Sequence, residues 1–207
     1  MNVVVVDTGF ANYHSVIKAV ERAGAVHAEL TVERSRDPER IRIADKLVMP
    51  GQGGFKDCAA AFEGGLGAAI LERVRAGTPF FGICLGLQVL FERSEEAPGV
   101  TGLGLFPGSV RELARAPGLK IPHMGWNRLE GEAERSGWSA CALGQWFYFD
   151  HSYHAVPQDP SLVLGTVGYG PNQVTACVGR DNVYATQFHP EKSQKAGLEL
   201  LAKFLST

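Results

Sequence analysis

The sequence predicts an α/β fold: a central, mostly parallel sheet flanked by helices, with extra antiparallel strands in the C-terminal half. Three observations predict it. The chain opens on the β-branched run Val3, Val4, Val5 and Val6, and an unbroken apolar run is what a strand buried on both faces requires. Strand and helix signals then alternate with short turns through residues 1–93, the pattern of repeated β-α-β units. In the second half, helix signals give way to short, closely spaced apolar runs, which favour antiparallel pairing and a mixed sheet.

Each element has its own warrant. Residues 2–7 form the first strand. Asn12 can cap a helix that carries Val16, Ile17, Val20 and Ala23 at helical spacing, and Gly24 stops it. Residues 26–32 read as a second strand. Residues 46–49 read as a third, running into Pro50-Gly51-Gln52-Gly53-Gly54. A helical stretch extends to about residue 76, weakened by Gly64, Gly65 and Gly67 and closed by Gly77. Residues 79–83 are a fourth strand, and Leu87, Leu90 and Phe91 give residues 85–93 a helical pattern. Strands are expected next around 119–121, 146–153, 162–167, 174–178 and 183–188. Residues 192–205 close the chain as an amphipathic helix with Leu198, Leu201, Ala202 and Leu205 on one side.

Composition narrows the function. The 207 residues suit one domain spanning residues 1–207. A net charge of −2 with 20% charged residues excludes a binder driven by basic clustering, so no nucleic-acid partner is expected. Cys58, Cys84, Cys141 and Cys177 contain no C-x-x-C pair, which argues against a common zinc motif and a disulfide framework. The four opening valines are too few for a secretory signal. The longest largely apolar run, residues 79–91, contains Gln88 and is too short to cross a bilayer. An intracellular, cytoplasmic protein is expected.

The most informative segment is Gly82-Ile83-Cys84-Leu85-Gly86, between a strand signal and a helix signal. It is G-x-C-x-G, the thiol counterpart of the nucleophile elbow. Its glycines suit a strained turn where a Cβ would clash. A helix starting at the sulfur favours the thiolate and offers the Leu85 N–H to a developing oxyanion. A thiol nucleophile needs a base, and His189 is the best placed. Pro190 holds it extended, and Glu191 can accept its far ring N–H. His151 and His154, on one expected strand, would point to opposite faces and share no metal. The Gly51-Gln52-Gly53 segment can turn a backbone N–H toward an anion. It lacks the ending of a phosphate loop, so nucleotide binding is not supported.

These three elements, in this order, resemble the class I (triad-type) glutamine amidotransferases, and the resemblance covers essentially the whole chain. Pro50-Gly51-Gln52-Gly53, Gly82-Ile-Cys-Leu-Gly-Leu-Gln88 and Phe188-His-Pro-Glu191 carry it at class level. Longer strings resemble the branch serving imidazole glycerol phosphate synthases of histidine biosynthesis: Lys120-Ile-Pro-His-Met-Gly-Trp-Asn127, Phe147-Tyr-Phe-Asp-His-Ser-Tyr153 and Gln187-Phe-His-Pro-Glu-Lys-Ser-Gln-Lys-Ala-Gly197. The resemblance implies a flavodoxin-like three-layer fold and hydrolysis of the L-glutamine side-chain amide to glutamate and ammonia through a cysteinyl thioester. It implies Cys84 as nucleophile, His189 as base and Glu191 as its orienting partner. The oxyanion hole would come from Gly51, Gln52, Gly53 and Leu85. Glutamine would be bound by Gly53, Gln88, Glu96, Ser152 and Tyr153. The implied partner is a (β/α)8-barrel cyclase that receives the ammonia, in a heterodimer, with Asn12, Trp126, Lys192, Ser193, Gln194 and Lys195 as contacts. No cofactor and no metal are implied.

Two positions depart from the family pattern. Where it usually reads Asp-Tyr-Gly-x-Gly-Asn, this chain has Asp7-Thr-Gly-Phe-Ala-Asn12, and Asp150 stands where an apolar residue is usual. A buried, uncompensated carboxylate at 150 would be costly, so Asp150 is expected to be hydrogen-bonded or partly exposed. Three other readings stay open on sequence alone. The partner could be another synthase, such as that for anthranilate or aminodeoxychorismate. The chain could be a partner-independent cysteine peptidase or deglycase of the same fold. It could also be a non-catalytic binding module on this scaffold.

Overall fold

Residues 1–131 and 137–207 are described by a computed structural model. The Val3–Val6 run forms all but the first residue of β1 (Asn2–Val6), each of the four valines fully buried. The chain then folds into α1 (Tyr13–Ala23), β2 (Thr31–Ser35), α2 (Pro38–Arg42), β3 (Lys46–Gly51), α3 (Phe55–Ala60), α4 (Leu66–Arg75), β4 (Phe80–Cys84) and α5 (Leu85–Gln88). The rest is mainly strand: β5 (Phe91–Ser94), β6 (Phe106–Glu112), β7 (His123–Arg128), β8 (Trp146–His151), β9 (Tyr153–Pro157), β10 (Val163–Tyr169), β11 (Asn172–Arg180) and β12 (Val183–Thr186), before the terminal helix α6 (Gln194–Leu205).

The main sheet has the order β10-β11-β12-β4-β3-β1-β2. From β12 to β2 all neighbours are parallel, while β11 pairs antiparallel with both β10 and β12. One apolar cluster covers each face: Leu47, Phe55, Ile70, Phe80 and Leu87 lie in one, and Val16, Val48, Phe81, Leu201 and Phe204 in the other. Two small sheets, β5-β6-β9 and β7-β8, complete the architecture. Because β3, β4 and β12 run the same way, their carboxyl ends meet at one edge, where open α/β sheets form their binding crevice. Gly51 lies beside Cys84 in that ladder, and His189 follows β12 by three residues.

Several elements differ from the sequence reading, each for a local reason. The second strand begins at Thr31 rather than 26, because Val26 is 86% exposed in a turn. The stretch to residue 76 divides into α3 and α4, since Gly64 and Gly65 take φ of 66° and 96°. α2 was not expected; Asp37 caps it through Oδ1, which accepts the Glu39 N–H at 2.9 Å, ahead of Pro38. The expected helix 85–93 ends at Gln88, because Phe91 pairs with Phe106 in the β5–β6 ladder. Residues 119–121 form no strand, and pairing starts at His123. The expected strand 146–153 breaks at Ser152, so β8 pairs with β7 while β9 pairs with β6. That break also separates His151 and His154 onto different strands. A 3-10 turn, Pro190–Lys192, precedes α6. Among the described residues no helix is long and apolar enough to cross a membrane.

Candidate active site

Close packing builds the elbow. Cys84 has φ of 56°, in the left-handed region that non-glycine residues seldom occupy. A Cβ on Gly82 would stand 2.5 Å from the Gly86 carbonyl oxygen, and one on Gly86 would stand 1.9 Å from that of Met49. Nothing larger than hydrogen fits at either position, so the turn is forced sharp and the sulfur sits at the edge of a cavity of about 330 Å³. The helix that follows is shorter than the sequence suggests. α5 is one turn, so the sulfur meets first-turn amides rather than the summed dipole of a long helix.

His189 enters the same cavity from the end of β12. Its backbone is extended, as a residue before proline must be, and its N–H donates to the Tyr148 carbonyl at 2.9 Å. The ring Nδ1 lies 2.8 Å from Glu191 Oε1, with both side chains buried. The ring shares that cavity with the Cys84 sulfur, near enough for the sulfur's charge to act on it. Burial by itself would push the His189 ring down, but the Cys84 sulfur and the Glu191 carboxylate outweigh it and raise the ring to about 10. Residues from opposite halves of the chain thus meet here: the Cys84 sulfur faces an imidazole whose other side is hydrogen-bonded to Glu191. Such an arrangement can hold a thiolate against an imidazolium and deliver a proton to a leaving group.

The remaining sequence-predicted residues fall around this group. Leu85, Gln88, Glu96, Ser152 and Tyr153 line the cavity with Gln52 and Gly53. Glu96 Oε2 accepts the Phe55 N–H at 2.8 Å, leaving Oε1 for a further donor. Asp150 is partly exposed at the rim, as its charge requires. One expectation needs correction: the Gln52 N–H donates to the Phe10 carbonyl at 2.8 Å, so in this conformation that amide is not offered to an oxyanion.

The expected partner contacts divide. Trp126 is 46% exposed, packs edge-on against Tyr148 at 6.2 Å, and Lys192 Nζ stands 5.4 Å over the same Tyr148 ring. Asn12, Gln194 and Lys195 are exposed. Ser193 is not a surface contact. It is buried, donating from Oγ to the His189 carbonyl at 2.6 Å and accepting the Tyr148 N–H at 3.0 Å, which clamps His189 in place. Residue-by-residue reading gave no role to Gln187 or His123. Gln187 Nε2 approaches the Cys84 sulfur at 3.6 Å, and His123 bonds to His151 behind the cavity. Both lie inside strings that carry the family resemblance, which was the only available signal.

Residues 4–207 match the family described as Glutamine amidotransferase class-I. The chain belongs to the class I glutamine amidotransferases. It is 43% identical, over the full length of both chains, to an imidazole glycerol phosphate synthase subunit HisH from Neisseria gonorrhoeae. It is 46% identical to the subunit of the same name from Methylococcus capsulatus, covering 99% of this chain and 95% of the relative. A crystal structure described as a glutamine amidotransferase superposes with a TM-score of 0.74 at 20% identity, covering 99% of each chain. That likeness supports the three-layer α/β fold.

Proposed function

We propose that this chain is the glutaminase subunit of an imidazole glycerol phosphate synthase, acting as one domain in the cytoplasm and feeding ammonia to a (β/α)8-barrel cyclase in histidine biosynthesis. The observation that carries the chemistry is Cys84 and His189 in one cavity, with Glu191 buried and hydrogen-bonded behind the imidazole. Full-length identity to HisH subunits favours this synthase over the anthranilate and aminodeoxychorismate ones. It also favours a glutaminase over a peptidase, a deglycase or an inert scaffold.

In the proposed reaction the Cys84 thiolate adds to the glutamine amide carbon and the carbonyl electrons move onto oxygen. As that tetrahedral species collapses, the His189 imidazolium protonates the departing nitrogen, releasing ammonia and leaving a γ-glutamyl thioester. His189 then takes a proton from water as the water attacks, and the C–S bond breaks to return the electron pair to sulfur. Glu191 holds the ring in orientation. The Leu85 N–H supplies one oxyanion donor, and the Gly51–Gly53 segment is placed to supply another once the Gln52 amide leaves Phe10. Each such donor is worth roughly 2.7–4 kcal/mol, or about 10²–10³ in rate. Docking of the cyclase near Asn12, Trp126 and Lys192 would turn that amide, so that ammonia is released only when its acceptor is present. Gln88, Glu96, Ser152 and Tyr153 would position the substrate. The test is Cys84→Ala in the assembled complex. Glutamine-dependent product formation should vanish while ammonia-dependent synthesis persists; loss of both in an intact complex contradicts the proposal.

A further inference from the structure

A chain of buried and half-buried hydrogen bonds runs from the back of the cavity to the sulfur, and its chemistry allows only one direction. His151 Nδ1 lies 2.9 Å from the Tyr153 carbonyl, which can only accept, so that nitrogen carries the proton. Burial pushes His151 down to about 3, with the His123 ring adding to the effect, and burial pushes His123 down to about 4. Both rings are therefore neutral at pH 7. His151 Nε2 is then an acceptor, and His123 Nδ1, 2.9 Å away, must donate to it. The His123 ring cannot turn freely, because it is stacked on Tyr169 at 4.0 Å and on Phe149 at 4.7 Å.

The Tyr153 carbonyl sets the next link. It also accepts from Gln88 Nε2 at 2.9 Å, and that same NH2 group donates to Gln187 Oε1 at 3.1 Å. Gln187 is fully buried, so with its oxygen held by Gln88 its NH2 has one orientation: toward the Cys84 sulfur, 3.6 Å away. The sulfur also lies 3.9 Å from the Asp150 carbonyl, an acceptor that suits the thiol and not the thiolate.

We propose that Gln187 is a further catalytic residue: its side-chain N–H is aimed at the Cys84 sulfur by the His123–His151–Tyr153–Gln88 chain and stabilises the sulfur whenever it carries negative charge. That charge is present twice in the proposed reaction, before attack on the amide carbon and again when the thioester C–S bond breaks. Between those moments the sulfur is neutral and the contact is weak. The N–H thus raises the share of sulfur present as thiolate for attack, and it lowers the barrier to C–S cleavage, where the charge returns to the sulfur. His123 and His151 act through Gln88 and Gln187 and are positioning residues.

The inference rests on the glutaminase reading for its consequence but not for its test. Alkylation of Cys84 by iodoacetamide, followed by mass spectrometry across pH 5–10, reports the thiolate directly, whatever substrate the protein uses. Gln187→Met keeps the side chain's length and removes the donor. It should move the alkylation profile up by about one pH unit and slow alkylation by up to tenfold on the profile's rising limb, since hydrogen bonds to charged groups are worth at least that much. In the assembled complex kcat should fall about tenfold with KM nearly unchanged. Gln187→Glu places an acceptor at the sulfur and should move the profile up further, and it answers the question should the Met variant not fold. His123→Phe should shift the profile the same way by a smaller amount. A profile within 0.2 pH units of the parent in folded Gln187→Met, or in Gln187→Glu, overturns the proposal. An absent glutaminase activity in the parent, with the alkylation shift intact, overturns the functional reading instead.

Discussion

Gly86→Ala tests how far the elbow depends on contact with β3. The added Cβ would stand 1.9 Å from the Met49 carbonyl oxygen, against the 3.0 Å below which real Cβ contacts essentially never fall. About 1.1 Å must therefore open between α5 and β3, and both are backbone, so no side-chain rotation relieves it. Overpacking of this kind costs typically about 1–3 kcal/mol. For a chain near 200 residues that corresponds to roughly 2–4 °C of Tm per kcal/mol. The catalytic consequence is larger, because a displacement near 1 Å at a reacting group costs on the order of 10²-fold in rate. The assay is glutamine-dependent ammonia release in the cyclase complex, alongside thermal unfolding of the free chain. A variant that unfolds a few degrees lower and loses about two orders of magnitude in kcat fits the reasoning. A variant with kcat within threefold of the parent refutes it, since the sulfur's position would then not depend on Gly86 being bare.

Further expectations follow from the same geometry. His189 is raised to about 10 by Cys84 and Glu191 over the opposing effect of burial. Its folded value exceeds the unfolded one near 6.5, so its proton's contribution to stability is full below about pH 6.5 and lost as pH rises toward 10. Thermal unfolding at pH 7 and pH 10 should show a larger drop for the parent than for Glu191→Gln, and equal drops would sink this account of the ring. Glu96→Ala should raise the KM for glutamine by roughly ten- to a hundredfold, the worth of a charged hydrogen bond, with kcat changed little; steady-state kinetics decide it. Trp126→Ala should weaken cyclase binding by tenfold or more, as for a buried aromatic anchor. Because Trp126 is already 46% exposed, the Tm of the free chain should stay within a degree or two.

What could be read from the sequence was local. The Val3–Val6 strand, the Asn12 cap, the Gly24 stop and the G-x-C-x-G elbow each declare themselves within a few residues, and each appears where expected. The boundaries that moved were decided by distant partners. Leu90 and Phe91 fit a helix equally well until Phe106 draws Phe91 into a strand, and Ser152 ends one strand only because β8 and β9 join different sheets. The site divides the same way. The order of Cys84, His189 and Glu191 was legible because short motifs surround them. Gln187 was not, because its orientation depends on Gln88, 99 positions away, and Gln88 in turn on a carbonyl that His151 shares. Ser193 looked like a surface contact in a polar run, yet its hydroxyl is buried under His189.

The most direct trial of the whole account is covalent trapping. The protein, assembled with its cyclase and the cyclase's ribonucleotide substrate, would be treated with an electrophilic analogue of glutamine and digested for mass spectrometry. A single adduct on Cys84, blocked by excess L-glutamine and slowed in Glu191→Gln, is the expected outcome. Labelling spread over Cys58, Cys141 and Cys177, or indifferent to glutamine, would mean that the buried group of sulfur, imidazole and carboxylate does not handle this amide.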